Sequence, residues 1–439
     1  MQINQSTQLG RWKVFLGKFF SRFFVGLLLL ALLKIASLNT EVVVSSFLAK
    51  SLLSPVAPLS PMADKKKQFE VFGFAPHWSI DDFGKVDFSV LTTLAYFGVE
   101  VDGEGRMDTE SAGYTIFLSD KATDLFQKAH ENGTRVVLTL TQMDNAAIES
   151  FMDDPEGQKR LINEAVALVK KRGIDGINVD FEYMGDPGEG YANKFSFFVK
   201  SLTEEMHRSV PGSKVTVSVY ASATKYQKLY DIASLGKTTD GIFMMAYDFS
   251  TSGSDNAMPT APLYGHKEGK YWYDVSTAVE DFLALMPSEK LILGVPWYGY
   301  NFPVTTPEEK AEKYNGYYSY YWWRGKQYSR FNPTDGAHAQ TYASAQKVEG
   351  VKSGWDDLGK VGWKAYKDAS GVWRMVYYDD PKSLSIKYNF AKEKKLAGVG
   401  IWSMAFDGQE GDLWAGLKQA FGTKLADSRV VSVKINDTI

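Results

Sequence analysis

Eight short, apolar, β-rich runs, spaced by helical patterns, restrict the fold of this 439-residue chain more than any other feature. They fall at 70–75, 91–97, 134–141, 176–182, 214–220, 241–247, 290–297 and 397–404. Helical patterns occupy 121–132, 156–172, 191–209, 273–286 and 383–394. Strands that alternate with helices build βαβ units around a parallel sheet, and eight of them favour a closed barrel over an open sheet. The expectation is an α/β fold, a (β/α)8 TIM barrel spanning residues 69–422, and the chain is long enough for it.

One connection exceeds what a barrel needs. About a hundred residues separate the seventh and eighth runs. A loop of that length is functional or carries its own structure. A small α+β subdomain is therefore expected at about 302–373, inserted on the catalytic side of the barrel. Its middle is dense in aromatics: Tyr314, Tyr317, Tyr318, Tyr320, Tyr321, Trp322, Trp323 and Tyr328. Most are expected to form the core of the insertion, with some left to stack on substrate.

The fourth run carries chemistry. In Asp175-Gly176-Ile177-Asn178-Val179-Asp180-Phe181-Glu182, the polar residues Asn178, Asp180 and Glu182 recur at every second position and share one strand face. Ile177, Val179 and Phe181 share the other. A solvated strand face is the ordinary reading of such alternation. The flank argues against it. Leu161, Ala165, Leu168 and Val169 follow helical spacing, and Lys170-Lys171-Arg172-Gly173 closes the pattern with cations and a terminal Gly. A helix that ends in Gly and feeds a strand is half of a βαβ unit, whose strand is covered on both faces. Burying carboxyls costs several kcal/mol unless they are paired, which marks these groups as used.

Bulk properties narrow the classes. The formal net charge of −3 gives no case for nucleic acid. The absence of cysteine excludes disulfides, Fe–S clusters and thiolate zinc sites. Five scattered histidines show no His-Glu-x-x-His pattern, so neither a catalytic metal nor a cofactor is expected, although an all-oxygen cation site stays open. No phosphate-binding Gly-rich loop appears, which leaves a housekeeping barrel acting on phosphorylated substrates without support. Residues 1–40 read as a signal peptide or signal anchor: Arg11, Lys13, Lys18 and Arg22 precede the apolar run 23–33. A Pro-rich linker follows at 41–68, and 423–439 is a short C-terminal tail. The expected location is secreted or cell envelope, with membrane contact only through the N-terminal segment, and the protein is expected to be a monomer.

Active sites of such barrels gather at the C-terminal ends of the strands. Candidates there are His77, Trp78, Tyr96, Gln142, Asp144, Glu182, Met245, Tyr247, Asp248, Trp297, Tyr298 and Trp402. Each alone has an ordinary explanation in packing or capping. Ringed around one mouth, aromatic faces and carboxyls suit a carbohydrate.

At these residues the sequence resembles glycoside hydrolase family 18, the chitinase-like hydrolases. Asp175–Glu182 resembles the family's Asp-x-x-Asp-x-Asp-x-Glu signature, with Asp175 and Gly176 opening it. Met245-Ala246-Tyr247-Asp248 resembles its Met-x-Tyr-Asp, and Leu293-Gly294-Val295-Pro296-Trp297-Tyr298-Gly299 its strand-seven motif. Tyr377-Tyr378-Asp379-Asp380 and Gly398-Val399-Gly400-Ile401-Trp402 resemble its closing segment. The resemblance implies a retaining glycosidase in which the substrate's own N-acetyl carbonyl is the nucleophile. It makes Glu182 the general acid and then base, Asp180 the partner of the acetamido N–H, and Tyr247 the donor to its carbonyl. It makes Asp248 a hydroxyl-binding group and Trp402 the apolar floor. Asn178 stands where the family carries a second Asp, and an Asn cannot share a proton, so Asp180 is expected to stay anionic. Thr139-Leu140-Thr141-Gln142 replaces a Ser-x-Gly-Gly segment, which resembles the bacterial cell-wall and spore-associated branch. The implied partner is a β-1,4-linked N-acetylglucosamine glycan: chitin, chito-oligosaccharides or peptidoglycan. A non-catalytic glycan-binding lectin on the same barrel is the alternative, ranked lower because the acid is kept.

Overall fold

A computed structural model describes residues 69–422, apart from Gly84, Gln227 and Gln409. The expected export signal, linker and C-terminal tail lie outside the described residues. Strands β1 (Glu70–Pro76), β2 (Thr93–Glu100), β3 (Arg135–Gln142), β4 (Gly176–Phe181), β5 (Lys214–Tyr220), β6 (Gly241–Met245) and β7 (Leu291–Pro296) are followed by an inserted domain. That domain contains β8 (Tyr298–Val304), β9 (Gly316–Trp323), β10 (Lys326–Pro333), β11 (His338–Thr341), β12 (Lys352–Asp356), β13 (Val361–Lys367) and β14 (Trp373–Tyr378). Strand β15 (Gly398–Trp402) then completes the barrel, which closes in the order β1-β15-β7-β6-β5-β4-β3-β2 with parallel neighbours. The chain is the (β/α)8 barrel that its alternating pattern predicts.

The junction before β4 shows how sequence fixes geometry. Helix Pro155–Arg172 starts with Pro in its first turn and ends with Lys170, Lys171 and Arg172 against the negative end of its dipole. Gly173 then turns the chain at φ 67°, where a side chain would be strained. Asp175 accepts from Val136 N at 2.8 Å, and its carboxyl lies 2.7 Å from His130 Nε2, so it pins the start of β4 to β3 and to helix Asp120–Glu131. Gly176 follows with φ 151°. A Cβ there would lie 1.9 Å from the Lys214 carbonyl oxygen, so only glycine allows β5 to approach this closely.

Both faces of β4 are covered. Ile177, Val179 and Phe181 pack outward among the helices, in the large apolar shell that includes Leu161, Val169, Phe195 and Phe198. Asn178 and Asp180 face the barrel interior and are buried. The interior around them is filled by Phe72, Phe74, Ala95, Phe97, Val137, Phe243, Met245 and Ile292. Rings meet edge to face there, with Phe74 and Phe243 at 4.9 Å.

The insertion between β7 and β15 is larger than its expected span of 302–373, because β8 begins at Tyr298 and β14 ends at Tyr378. Its five-stranded antiparallel sheet runs β11-β8-β14-β13-β12 and carries its own core of Tyr300, Phe302, Val361, Trp363, Met375 and Tyr377. The only helix in it among the described residues is the single turn Tyr342–Ala345. One expectation is corrected. The aromatic stretch 317–328 is not that core. It forms the separate hairpin β9–β10, whose rings are exposed, because the sheet draws its apolar residues from β8, β13 and β14 instead.

Candidate active site

At the C-terminal ends of the barrel strands lies a cavity of about 260 Å³, lined by Phe74, Trp78, Phe97, Met143, Asp180, Glu182, Tyr220, Met245, Tyr247, Asp248, Tyr298 and Trp402. It is built from the strand ends upward. Strand β4 contributes Asp180 and delivers Glu182, whose backbone N–H donates to Gln142 O at 2.8 Å just past the strand. Strand β6 ends at Met245 and hands on Tyr247 and Asp248. Asp248 takes φ 58°, a left-handed conformation that costs a non-glycine residue about 1 kcal/mol or more and concentrates at functional sites. Strand β15 supplies Trp402 at its last position. The indole is wedged edge to face against Phe97 at 4.8 Å and Phe74 at 5.5 Å, with Trp78 at 6.4 Å.

The carboxyls are set apart by their surroundings. Asp180 is 3% exposed and its Oδ1 has no hydrogen-bond partner, so burial first, and the charge of Glu182 second, hold its pKa well above the usual carboxylate range. Glu182 is also raised. Burial is the larger cause, the Asp248 charge adds to it, and the Tyr220 hydroxyl opposes it by donating to the carboxylate. Each carboxyl therefore holds its proton to higher pH than a free carboxyl does, and the two titrate as a pair. That direction runs against the expectation that Asp180 stays anionic. Asn178 does not reach it. The Asn178 amide is turned to β5, donating to Ser218 Oγ at 3.0 Å and accepting from Thr216 Oγ1 at 2.8 Å. Asp180 Oδ1 is thus left without a donor beneath the cavity that the residue lines.

Asp248 is reached by solvent through the cleft mouth, yet the walls around it raise its pKa. Three hydroxyls oppose that shift by donating to Oδ1: Tyr298 at 2.6 Å, Tyr300 at 3.0 Å and Thr260 at 3.1 Å. Tyr298 and Tyr300 belong to β8, so the insertion supplies part of the site. The Tyr247 ring packs edge-on against Tyr298 at 6.0 Å. Its phenol is pushed well above the usual tyrosine range by burial, then by Asp180, Glu182 and Asp248, which fixes it as a neutral O–H donor.

Five proposed contacts with substrate fall elsewhere. Tyr96 points outward, donating to Gly113 O at 2.8 Å and packing on Phe117 and Phe126. Trp297 is fully buried against Trp414 at 5.0 Å. Gln142 spends its amide on the Val101 carbonyl and on Asp144 N. His77 stands behind Trp78, ring edge to face at 4.9 Å, and does not line the cavity. Asn178 lies below the cavity in its contacts with β5. Asp144 caps helix Asn145–Met152 through Ala147 N at 2.8 Å, and Asp175 and Gly176 serve the junction already described. Met245, Tyr247, Asp248, Tyr298 and Trp402 do line the cavity. Phe74, Phe97, Met143 and Tyr220 are lining residues the sequence reading missed.

A family model, Glycosyl hydrolases family 18, matches residues 70–407. The chain belongs to this family. It is a glycosidase. Among its relatives is the di-N-acetylchitobiase of Rattus norvegicus, 28% identical over 348 residues, a match covering 77% of this chain and 82% of that one. Solved structures share the fold at low identity. The spore cortex-lytic enzyme SleL of Bacillus cereus superposes with a TM-score of 0.62 at 19% identity, covering 82% of this family 18 chain and 76% of its own. Human YKL-39, described as a pseudo-chitinase with retained chitooligosaccharide binding, gives 0.66 at 18% identity, over 81% of this chain and 100% of its own.

Proposed function

We propose that this family 18 chain is a retaining glycosidase that cleaves the β-1,4 bond following an N-acetylglucosamine residue, with the substrate's acetamido group as nucleophile. The observation that carries the reading is the convergence of Asp180, Glu182, Tyr247 and Trp402 on one cavity. Trp402 offers an apolar floor to a sugar ring. Tyr247 donates to the acetamido carbonyl oxygen and turns it toward C1. Asp180 accepts from the acetamido N–H once its own proton moves to Glu182. Glu182 gives that proton to the glycosidic oxygen as the C1–O bond breaks and the carbonyl oxygen bonds to C1. The oxazolinium cation so formed lies against Asp180. Water then adds to C1 as the bond from C1 to the carbonyl oxygen breaks, which restores the acetamido group, and Glu182 takes the proton that the water gives up. Asp248, held by three hydroxyls, is placed to bind a sugar hydroxyl. With an export signal expected at residues 1–40, the glycan would lie outside the cytoplasmic membrane.

Incubation of the protein with chito-oligosaccharides and with peptidoglycan, followed by mass spectrometry of the products, tests this. Cleavage after N-acetylglucosamine is expected, and Glu182→Gln should lower kcat by at least about 10²-fold while sugars still bind. Binding to either glycan with no new reducing ends would make the protein a lectin instead.

A further inference from the structure

The hairpin β9–β10 belongs neither to the barrel nor to the five-stranded sheet. Its pairing sets Tyr321 opposite Tyr328 and Trp323 opposite Lys326 on one face, with Tyr318 opposite Phe331 and Trp322 opposite Gln327 on the other. Both faces are therefore aromatic, and both are bare: Tyr320 is 65% exposed, Trp322 72% and Trp323 54%. A two-stranded sheet with neither face covered is marginal in water, and an apolar surface of this kind marks an interaction site. Charge is equally one-sided. Between Gly316 and Pro333 the chain carries Arg324, Lys326 and Arg330 and no Asp or Glu, within a protein of net charge −3. The Arg324 guanidinium lies over the Trp323 ring at 4.4 Å, at the turn.

We propose that this hairpin docks the protein on an anionic lipid surface, with its tip in the headgroup layer. Three observations select that occupant. The exposed rings are mostly Tyr and Trp, which pair an apolar body with a polar edge and settle at the membrane–water boundary. They cover both faces of a protruding ribbon, as immersion in a medium requires, whereas a polysaccharide strand uses one face. The cations at the turn are drawn to acidic headgroups and have no use on a neutral glycan. They also repel a second copy of the same hairpin.

The chain has no cysteine, so Gln327→Cys gives a single site for an environment-sensitive fluorophore in the full-length protein. Vesicles of phosphatidylcholine with phosphatidylglycerol should shift its emission to the blue and shield it from iodide. The same label at Asn163→Cys, on the exposed side of helix Pro155–Arg172, should report water throughout, which separates docking of the hairpin from any attachment through the N-terminal segment. Replacing Arg324 or Lys326 by Gln should weaken the transfer roughly 5-fold each. Replacing both Trp322 and Trp323 by Ser should abolish the shift without lowering the thermal midpoint of the barrel. A label at 327 that stays in water with these vesicles overturns the proposal. So does a shift produced by chito-oligosaccharide, by a single-stranded oligonucleotide, or by protein concentration alone.

Discussion

The Tyr220 phenol donates a hydrogen bond to Glu182 and is the residue best placed to tune the acid proposed there. That hydrogen bond stabilises the carboxylate and lowers the Glu182 pKa, against the burial that raises it. Removing it with Tyr220→Phe should raise the Glu182 pKa further. The alkaline limb of the kcat/KM profile, where the acid loses its proton, should then move to higher pH, and an unmoved limb would remove Tyr220 from the proton inventory. Asp180 makes a different prediction. Its folded pKa lies above its unfolded value, so the native state binds the proton more tightly. Stability from this group falls as pH rises from about 4, the ordinary carboxylate value, through the raised value. Asp180→Asn has no such dependence. Its thermal midpoint should gain on that of the unaltered protein between pH 4 and pH 8, while hydrolysis is lost.

At the scale of the element, β4 depends on one missing side chain. Gly176→Ala would place a Cβ 1.9 Å from the Lys214 carbonyl oxygen at φ 151°, and it should cost about 2–4 kcal/mol in denaturant unfolding, because β5 cannot retreat without breaking its register with β6. The strand ends also show what could be read from sequence. At β4 the alternation of Asn178, Asp180 and Glu182 with Ile177, Val179 and Phe181 marks both faces, so the inward residues were legible. At β2 and β3 every residue near the end is of a kind that either face accepts, and the parity was lost by one position. Phe97 lines the cavity where Tyr96 was expected and Met143 where Gln142 was; at β7 both Trp297 and Tyr298 were expected, and Tyr298 alone of the two lines it. Tyr220 had no signal, since a lone Tyr ending a strand is ordinary. The barrel itself was legible because its periods alternate eight times. The hairpin was misread because aromatic density alone does not separate a core from a bare ribbon.

At the scale of the whole described molecule, a buried ion pair ties the end of the five-stranded sheet to a helix of the barrel. Asp379 follows β14 of the insertion, Lys387 lies on the barrel helix Pro381–Glu393, and both side chains are 1% exposed. Burial raises the Asp379 pKa and lowers that of Lys387, so each charge depends on the other. Lys387→Met should destabilise the protein by about 3–5 kcal/mol in chemical denaturation, and adding Asp379→Asn should recover much of the loss. Little loss in the single variant would show that the pair is not ionised. The insertion is tied to the cavity in a second way, through the two β8 phenols that steady Asp248. It cannot be trimmed to make a shorter enzyme. Excising residues 298–378 would leave that carboxylate with Thr260 alone, and grafting this barrel onto another scaffold means carrying the first three residues of β8 along with it.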